Sequence, residues 1–385
     1  MATTITSGVQ YSGIWTMQQV NAAVAAGTWT GLPYGYLYSW GKNNAGQLGL
    51  GNITSYSSPK QVGSINTWLN AAGGTFHTIV TKQDGTLWSW GANANGALGL
   101  GNTTNYSSPK QVGSLTGWLN VACGSYSSMA TKTDGTLWTW GNNTYGALGL
   151  GNTTGYSSPK QVGALTTWLN IAAGYFLSVA TKTDGTLWSW GYNAFGQLGL
   201  GNTTNYSSPK QVGSLTAWSK VACGRFHVIA TKTDGTIWTW GKNDFGQLGL
   251  SNTTNYSSPK QIGALTNWLN IAGGQYHGFT TAIKTDGTFW SWGRNAQGQL
   301  GLGNTTNYSS PKQVGALTNW SKLANAFYSV GSIKTDGTLW TWGMNSAGEL
   351  GLGDITNRSS PNQLGSLTSW IAVACGGYIM LATES

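Results

Sequence analysis

From Gly35 onward, hydrophobic and polar positions alternate in short bursts, and the pattern returns about every 50 residues, seven times over. The stretch around Val121 shows the unit. Val121-Ala-Cys-Gly is a brief apolar run, read as a strand near the centre of whatever the units build. Ser127-Ser-Met-Ala-Thr-Lys follows as a second strand. Thr133-Asp134-Gly135 then predicts a tight hairpin turn, because Asp-Gly tolerates the positive φ such turns need. Thr136-Leu-Trp-Thr-Trp returns as a third strand, whose Leu137, Trp138 and Trp140 suit a sheet packed on both faces. The glycine-rich segment from Gly146 to Lys160 reads as a crossover, and Gln161-Val162 as a short outer strand. Leu148 and Leu150 are placed to plug the junction between neighbouring units.

Each unit carries the landmark Trp-Gly-x-Asn, with its tryptophan at Trp40, Trp90, Trp140, Trp190, Trp240, Trp292 and Trp342. The spacing is constant except for a two-residue insertion, placed near Thr281–Ala282. A fixed period of this length marks a repeat architecture. Seven units of four short antiparallel strands predict an all-β fold, a seven-bladed β-propeller. The first unit begins midway, at Leu37-Tyr-Ser-Trp40, and the last stops after the strands expected between Ile371 and Thr383. One blade is therefore expected to form by pairing N- and C-terminal strands, which closes the ring and leaves no open sheet edge. The predicted organisation is a docking arm over residues 1–34 and the propeller over residues 35–385.

Composition narrows the chemistry. Twenty of the 22 tryptophans lie inside the repeats, so they read as core packing and not as a scattered ligand cage. Charged residues are 8% of the chain, against roughly a quarter in ordinary soluble domains, so the polar surface is built from Ser, Thr, Asn and Gln. The net charge of +9 suggests nucleic acid until its origin is traced. Six lysines precede an aspartate in the Lys-x-Asp-Gly turn and are expected to cancel against it. Most of the excess comes from Lys60, Lys110, Lys160, Lys210, Lys260 and Lys312, dispersed one per unit with no basic stripe, so specific nucleic-acid binding is not expected. Cys123, Cys223 and Cys375 occupy one position in three separate units, too far apart to bridge, and read as small buried residues. The N-terminus has no basic and apolar leader pattern, and no run approaches the ~20 apolar residues of a membrane span, so no membrane insertion is expected. A polar exterior without a secretion route is reconciled by release through lysis inside a virus particle.

No constellation for catalysis emerges. His77, His227 and His277 fall at one repeat position and read as core hydrogen-bonding residues, and three separate blades cannot assemble a compact metal site. The aspartates of the Asp-Gly turns are turn formers. Asp244, Glu349, Asp354 and Glu384 stand in unrelated contexts, which excludes a paired-carboxylate hydrolase. Gly-Leu-Gly-Asn lacks the Lys-Ser/Thr and helix of a phosphate loop. No enzyme activity, cofactor or metal is expected.

The strings Asp-Gly-Thr-Leu-Trp-x-Trp-Gly-x-Asn-x-x-Gly-Gln-Leu-Gly-Leu-Gly-Asn and Ala-x-Gly-x-x-His resemble the regulator of chromosome condensation repeat over about residues 35–383. The resemblance implies a seven-bladed propeller, in a family whose activities run from nucleotide exchange on a small GTPase to chromatin binding and scaffolding. Fold alone does not choose among them. Units 151–200 and 201–250 agree at 35 of 50 positions, a regularity that weighs against one specialised GTPase-binding surface.

Where the units differ is more informative. The residue after Trp-Gly runs Lys42, Ala92, Asn142, Tyr192, Lys242, Arg294, Met344, and three residues later come Ala45, Asn95, Tyr145, Phe195, Phe245, Gln297, Ala347. Before the aromatic that leads into the second strand stand Thr75, Ser125, Tyr175, Arg225, Gln275, Phe327, Gly377. Sharp change at few positions marks either a recognition surface or tolerated drift, and aromatics with arginine are natural anchors for recognition. Lys42, Tyr145, Tyr175, Tyr192, Phe195, Arg225, Lys242, Phe245, Arg294, Phe327 and Met344 are the candidate surface. In the arm, Ile14, Met17, Val20 and Val24 form a short amphipathic helical pattern, followed by a linker from Gly27 to Pro33. It is similar to short Gly-x-Trp segments of bacteriophage tail and fibre proteins, which implies docking through Ile14, Trp15, Met17 and Trp29; a plain extra turn packed on the propeller is the structural alternative. The leading expectation is a non-enzymatic phage virion structural protein (tail, fibre or decoration component). Its arm would hold other virion proteins, and its propeller would present a binding head to host-surface glycan or receptor, in a homo-oligomeric assembly. The alternative is a cytoplasmic scaffold or regulatory propeller that binds a protein partner.

Overall fold

The Asp-Gly turn sets the geometry of each blade. In the computed structural model, which describes residues 34–276 and 278–385, Asp134 Oδ1 accepts hydrogen bonds from Thr136 N (2.9 Å) and Thr136 Oγ1 (2.6 Å). The turn joins Ser127–Lys132 to Leu137–Gly141 with Ser127 opposite Gly141 and Thr131 opposite Leu137. Trp118–Cys123 pairs on one side of this hairpin and Tyr156–Gln161 on the other, giving a four-stranded antiparallel sheet. Among the described residues there are seven such sheets. The strands equivalent to Trp118–Cys123 all line one central cavity, so each blade runs outward from the axis in the order of the repeat, which in the closing blade passes from the C-terminal to the N-terminal strands. Among the described residues no helix is long and apolar enough to cross a membrane. The arm residues Ile14, Trp15, Met17 and Trp29 lie outside the described residues.

The outer strand differs from expectation. It spans Tyr156–Gln161 and so includes Pro159, which the sequence pattern assigned to the crossover. The register shifts between Tyr156, opposite Gly141, and Lys160, opposite Thr139. Three residues there, Ser157 to Pro159, face one on the partner, Trp140, and such a bulge at a sheet edge accommodates a residue that cannot donate to the ladder. The insertion is also relocated. Phe279 pairs with Gly293 as His227 pairs with Gly241, and Gly274 N donates to Phe279 O as Gly224 N does to His227 O, so the two extra residues fall between Gly274 and Phe279, ahead of the strand.

Packing occurs between blades. Among the described residues there are seven apolar clusters, each built from two adjacent units. Met129 and Leu137 meet Trp168, Ala180 and Trp190 of the following unit, with Leu150 of the crossover against them. The landmark tryptophans are fully buried, and each indole N–H donates to a backbone carbonyl of the preceding unit: Trp140 to Ala97 at 2.8 Å, Trp190 to Ala147 at 2.9 Å. The landmark asparagine organises the crossover: Asn143 Nδ2 donates to Asn152 O and Thr154 O, and its Oδ1 accepts from Leu148 N.

The ring closes through its ends. Tyr36–Gly41 pairs with Ile379–Glu384 in unbroken register, from Tyr36 opposite Glu384 to Gly41 opposite Ile379. Trp40 Nε1 donates to Glu349 O at 2.9 Å, the same bond the other units make. Removing Ile371–Ser385 deletes the two C-terminal strands of this blade, all but Trp370, and the truncated chain is expected to show no cooperative thermal transition by circular dichroism. A melt like the parent's would refute closure as the source of stability. A second test concerns close approach. A Cβ at Gly149 would lie 2.8 Å from Trp190 Nε1, whereas one at Gly163 meets nothing within 4 Å, and both residues have positive φ. Gly163→Ala is expected to cost about 1–2 kcal/mol from backbone strain alone, and Gly149→Ala at least about 1 kcal/mol more, by urea denaturation.

Candidate functional site

Antiparallel order places two loops of every blade at the same end: the loop between first and second strands and the crossover between third and fourth. Backbone bonds tie them together, as from Ala92 N to Phe76 O (2.8 Å) and from Asn142 N to Tyr126 O (2.9 Å). All three variable positions of the repeat therefore lie on one face, around one mouth of the central channel. Between them stands a residue that is aromatic in every unit: Phe76, Tyr126, Phe176, Phe226, Tyr276, Tyr328 and Tyr378, all half-buried. These seven were not singled out from the sequence, although their invariance beside a variable position was the available signal.

The face is lopsided. Tyr145 packs on Tyr192 (4.8 Å between centroids) and Phe176 (5.0 Å), and Phe195 on Phe226 (5.3 Å). The Lys242 ammonium lies over Phe195 at 4.6 Å and pairs with Asp244 at 2.9 Å. Arg225 is held between the rings of Tyr175 (4.6 Å) and Tyr276 (4.5 Å), and Arg294 lies over Phe245 (4.7 Å). Such cation–π contacts are worth about 0.5–2 kcal/mol and hold the cations at fixed positions. The other side of the mouth carries Thr75, Ala92, Asn95 and Ser125, with Lys42 over Tyr378 at 4.8 Å. Met344 is half-buried there, its backbone N donating to Tyr328 O.

Phe327 is a correction. Expected on the exposed surface, it is 2% exposed, stacked on Tyr276 (4.8 Å) and edge-on to Tyr378 (4.9 Å). The next unit has Gly377 at the equivalent position, and a Cβ there would lie 3.0 Å from the Phe327 ring. The missing side chain opens the space that Phe327 fills. Burial raises the neighbouring Tyr328 hydroxyl to about 12, a neutral donor at any physiological pH.

The opposite half of the channel is a cavity of about 470 Å³. The third residue of each inner strand lines it: Asn70, Asn120, Asn170, Lys220, Asn270, Lys322 and Ala372. Each asparagine Nδ2 donates across to the next blade's backbone, as Asn70 does to Leu119 O at 2.9 Å and Asn270 to Ser321 O at 2.8 Å.

The lysines of the Lys-x-Asp turns are less paired with aspartate than expected. Among the described residues one such pair, Lys132–Asp134, comes within 4.0 Å. Lys82, Lys182, Lys284 and Lys334 instead rest on Trp88, Trp188, Trp290 and Trp340 at 3.6–3.9 Å. The turn aspartates serve the turn: Thr186 side-chain and backbone hydrogen bonds hold Asp184 below its ordinary value. Cys123, Cys223 and Cys375 are buried free thiols, and burial pushes Cys375 up to about 12. Among the described residues no three His, Cys, Asp or Glu come together as metal ligands.

His77 and His227 are core residues. Ser128 Oγ donates to Ala97 O, so His77 Nε2 carries the hydrogen that Ser128 Oγ accepts at 2.9 Å. His227 does the same to Thr280 Oγ1, which donates to Gln247 O. Phe279 takes this position in the sixth unit in place of His277, which lies outside the described residues, so the three histidines are not equivalent.

A closed ring of seven uniform blades carrying one aromatic and cationic face defines a repeat propeller with a single specialised mouth. The profile of the RCC1-like domain matches residues 36–382, and the chain belongs to that family. No curated protein sequence matches. Among solved structures, human WBSCR16 is 21% identical with a TM-score of 0.81, covering 91% of this chain and 100% of its own. Prp20p from Saccharomyces cerevisiae, studied for binding to Gsp1p and histones, is 20% identical with a TM-score of 0.80 and 92% of each chain covered. Yeast RCC1 (Prp20) bound to Kap60 is 19% identical with a TM-score of 0.82, covering 100% of this chain and 96% of its own. At these identities the likeness is one of fold.

Burial lowers His77 from 6.5 to about 4 and His227 to about 3. Between pH 6.5 and 4 the unfolded histidines take up protons that the folded ones refuse, so their stabilisation is complete above pH 6.5 and lost as pH falls. Each contributes about 2 kcal/mol of loss between pH 7 and 5. His227→Phe, which copies Phe279, is expected to lose about 2 kcal/mol less than wild type over that range, by urea denaturation at each pH. Equal losses would show that His227 titrates normally.

Proposed function

We propose that this chain is a non-enzymatic interaction propeller that binds a protein partner through the aromatic and cationic mouth. The observation that carries the reading is the clustering there of the side chains that vary among otherwise uniform units: Tyr145, Tyr192, Phe195, Arg225, Lys242, Phe245 and Arg294. Half-exposed aromatics beside oriented cations are the composition of binding hot spots. The net charge of +9 and the cations at this mouth favour an acidic partner surface. Membership of the RCC1-like family, with relatives of the same fold that bind Gsp1p, histones or Kap60, supports a protein as the ligand. A basic histone surface is the poorer electrostatic fit.

The virion reading draws its support from the sequence of the arm, outside the described residues, and the family match weighs toward the partner-binding reading instead. No catalytic step is assigned to any residue. The test is cross-linking mass spectrometry on the full chain in its native cell, comparing wild type with a variant carrying Tyr192→Ser, Phe195→Ser, Phe245→Ser and Arg294→Ser. Partners cross-linked at this face are expected to fall at least about tenfold in the variant while its melting temperature is kept; losing two anchors of about 1–2 kcal/mol each predicts that much. Unchanged cross-links would remove this face from the reading. Selective loss on a glycan array, with no protein affected, would replace the protein by a sugar ligand.

A further inference from the structure

The channel cavity holds two ammonium groups with no carboxylate to answer them. Lys220 Nζ donates to Leu269 O (2.8 Å) and Asn270 Oδ1 (2.7 Å), which leaves a third N–H; Lys322 Nζ donates to Ile371 O. The two lysines flank Asn270 in the ring of channel-lining residues, and next to Lys322 stands Ala372, which puts no polar group into the cavity. Four of the seven units have asparagine at this position, so lysine is not needed to bridge the blades.

Of the chain's ten carboxylates, six are the turn aspartates, Asp244 pairs with Lys242, and Asp354 pairs with Arg358. Glu349 accepts from Ala347 N in a crossover, and Glu384 from Ser369 Oγ beside the closing strand. None lines the cavity, and residues 1–33 contain no acidic residue at all. Partial desolvation lowers both lysines, Lys220 to about 8, with no opposing carboxylate. Lys220 is half-buried and Lys322 exposed at the cavity, and two cations facing one polar cavity are relieved by an anion from outside the chain. The cavity, about 470 Å³, is within the range of small-molecule sites. Lysine, a compact point charge, suits phosphate oxygens.

We propose that the central channel binds a small, multiply charged phosphate oxyanion between Lys220 and Lys322. This site is independent of the aromatic mouth and of the partner bound there. The test titrates the full chain calorimetrically with inorganic pyrophosphate at pH 7, against Lys220→Asn/Lys322→Asn, which installs the asparagine of the other units and so preserves the blade contacts. One site per chain is expected in wild type, weakened at least about thirtyfold in the double variant, as loss of two charge-assisted hydrogen-bond donors implies. Lys60→Asn/Lys110→Asn removes the same charge from the rim and is expected to leave binding unchanged. Absence of binding in wild type, equal binding in the channel variant, or equal weakening in the rim variant would each overturn the proposal. A nucleoside diphosphate in the same titration separates the source. Binding at least as tight as pyrophosphate, and lost in the channel variant, assigns the site to a phosphate ester; weaker binding, lost likewise, assigns it to the free anion.

Discussion

One hydrogen bond, made seven times, is the constraint on which the rest of the structure depends. The indole N–H of each landmark tryptophan donates to a backbone carbonyl in the crossover of the preceding unit, over 2.8–3.1 Å. A buried indole N–H without an acceptor would cost about 1–3 kcal/mol, so no blade is satisfied alone. Because the acceptor is backbone, its residue is free to be Gln47, Ala97, Ala147 or Glu349. The same bond closes the ring: the first tryptophan finds its acceptor in the last crossover, in the blade where N- and C-terminal strands share a sheet.

This arrangement uses up most of each unit. Tryptophan, glycine, asparagine and the Asp-Gly turn are committed to building blades and joining them, and the lysine before each turn largely rests on a tryptophan face. Among the positions left to vary, two zones at opposite ends of the axis carry distinct chemistry: the loop face, where aromatics and cations gather on one side, and the inner-strand position that lines the channel. The two zones differ in chemistry. At the mouth the cations lie on aromatic rings and, for Lys242, beside an aspartate. In the channel the lysines have carbonyl and amide oxygens alone, and partial desolvation lowers both. A propeller of near-identical blades thus acquires asymmetry without changing a strand.

The blade hairpins, the blade count and the closure of the ring were legible in the residues because each rests on a local period or on a turn that only certain residues can make. The outer strand was not: Pro159 argues against a strand by local rules, and the bulge that admits it exists only once a partner strand is beside it. His277 looked equivalent to His77 by spacing, yet pairing with Gly293 gave that place to Phe279, since a ladder counts residues from its hydrogen bonds and not from the nearest motif. Phe327 reads as one more variable aromatic, and its burial follows from Gly377 in the next blade, 50 residues away.

The candidate face shows the same division. Sequence comparison among the units picked out Tyr145, Tyr192, Phe195, Arg225, Lys242, Phe245 and Arg294, because variation inside a repeat is visible without coordinates. That they share one mouth was decided by antiparallel strand order, and that Lys220 and Lys322 lack a counter-charge was decided by where all ten carboxylates ended up. By itself the chain determined a closed sevenfold ring, because each unit carries the whole local code for a blade. Which side chains meet across the axis belongs to the tertiary structure alone, since those contacts join units 50 or more residues apart and no local pattern records them.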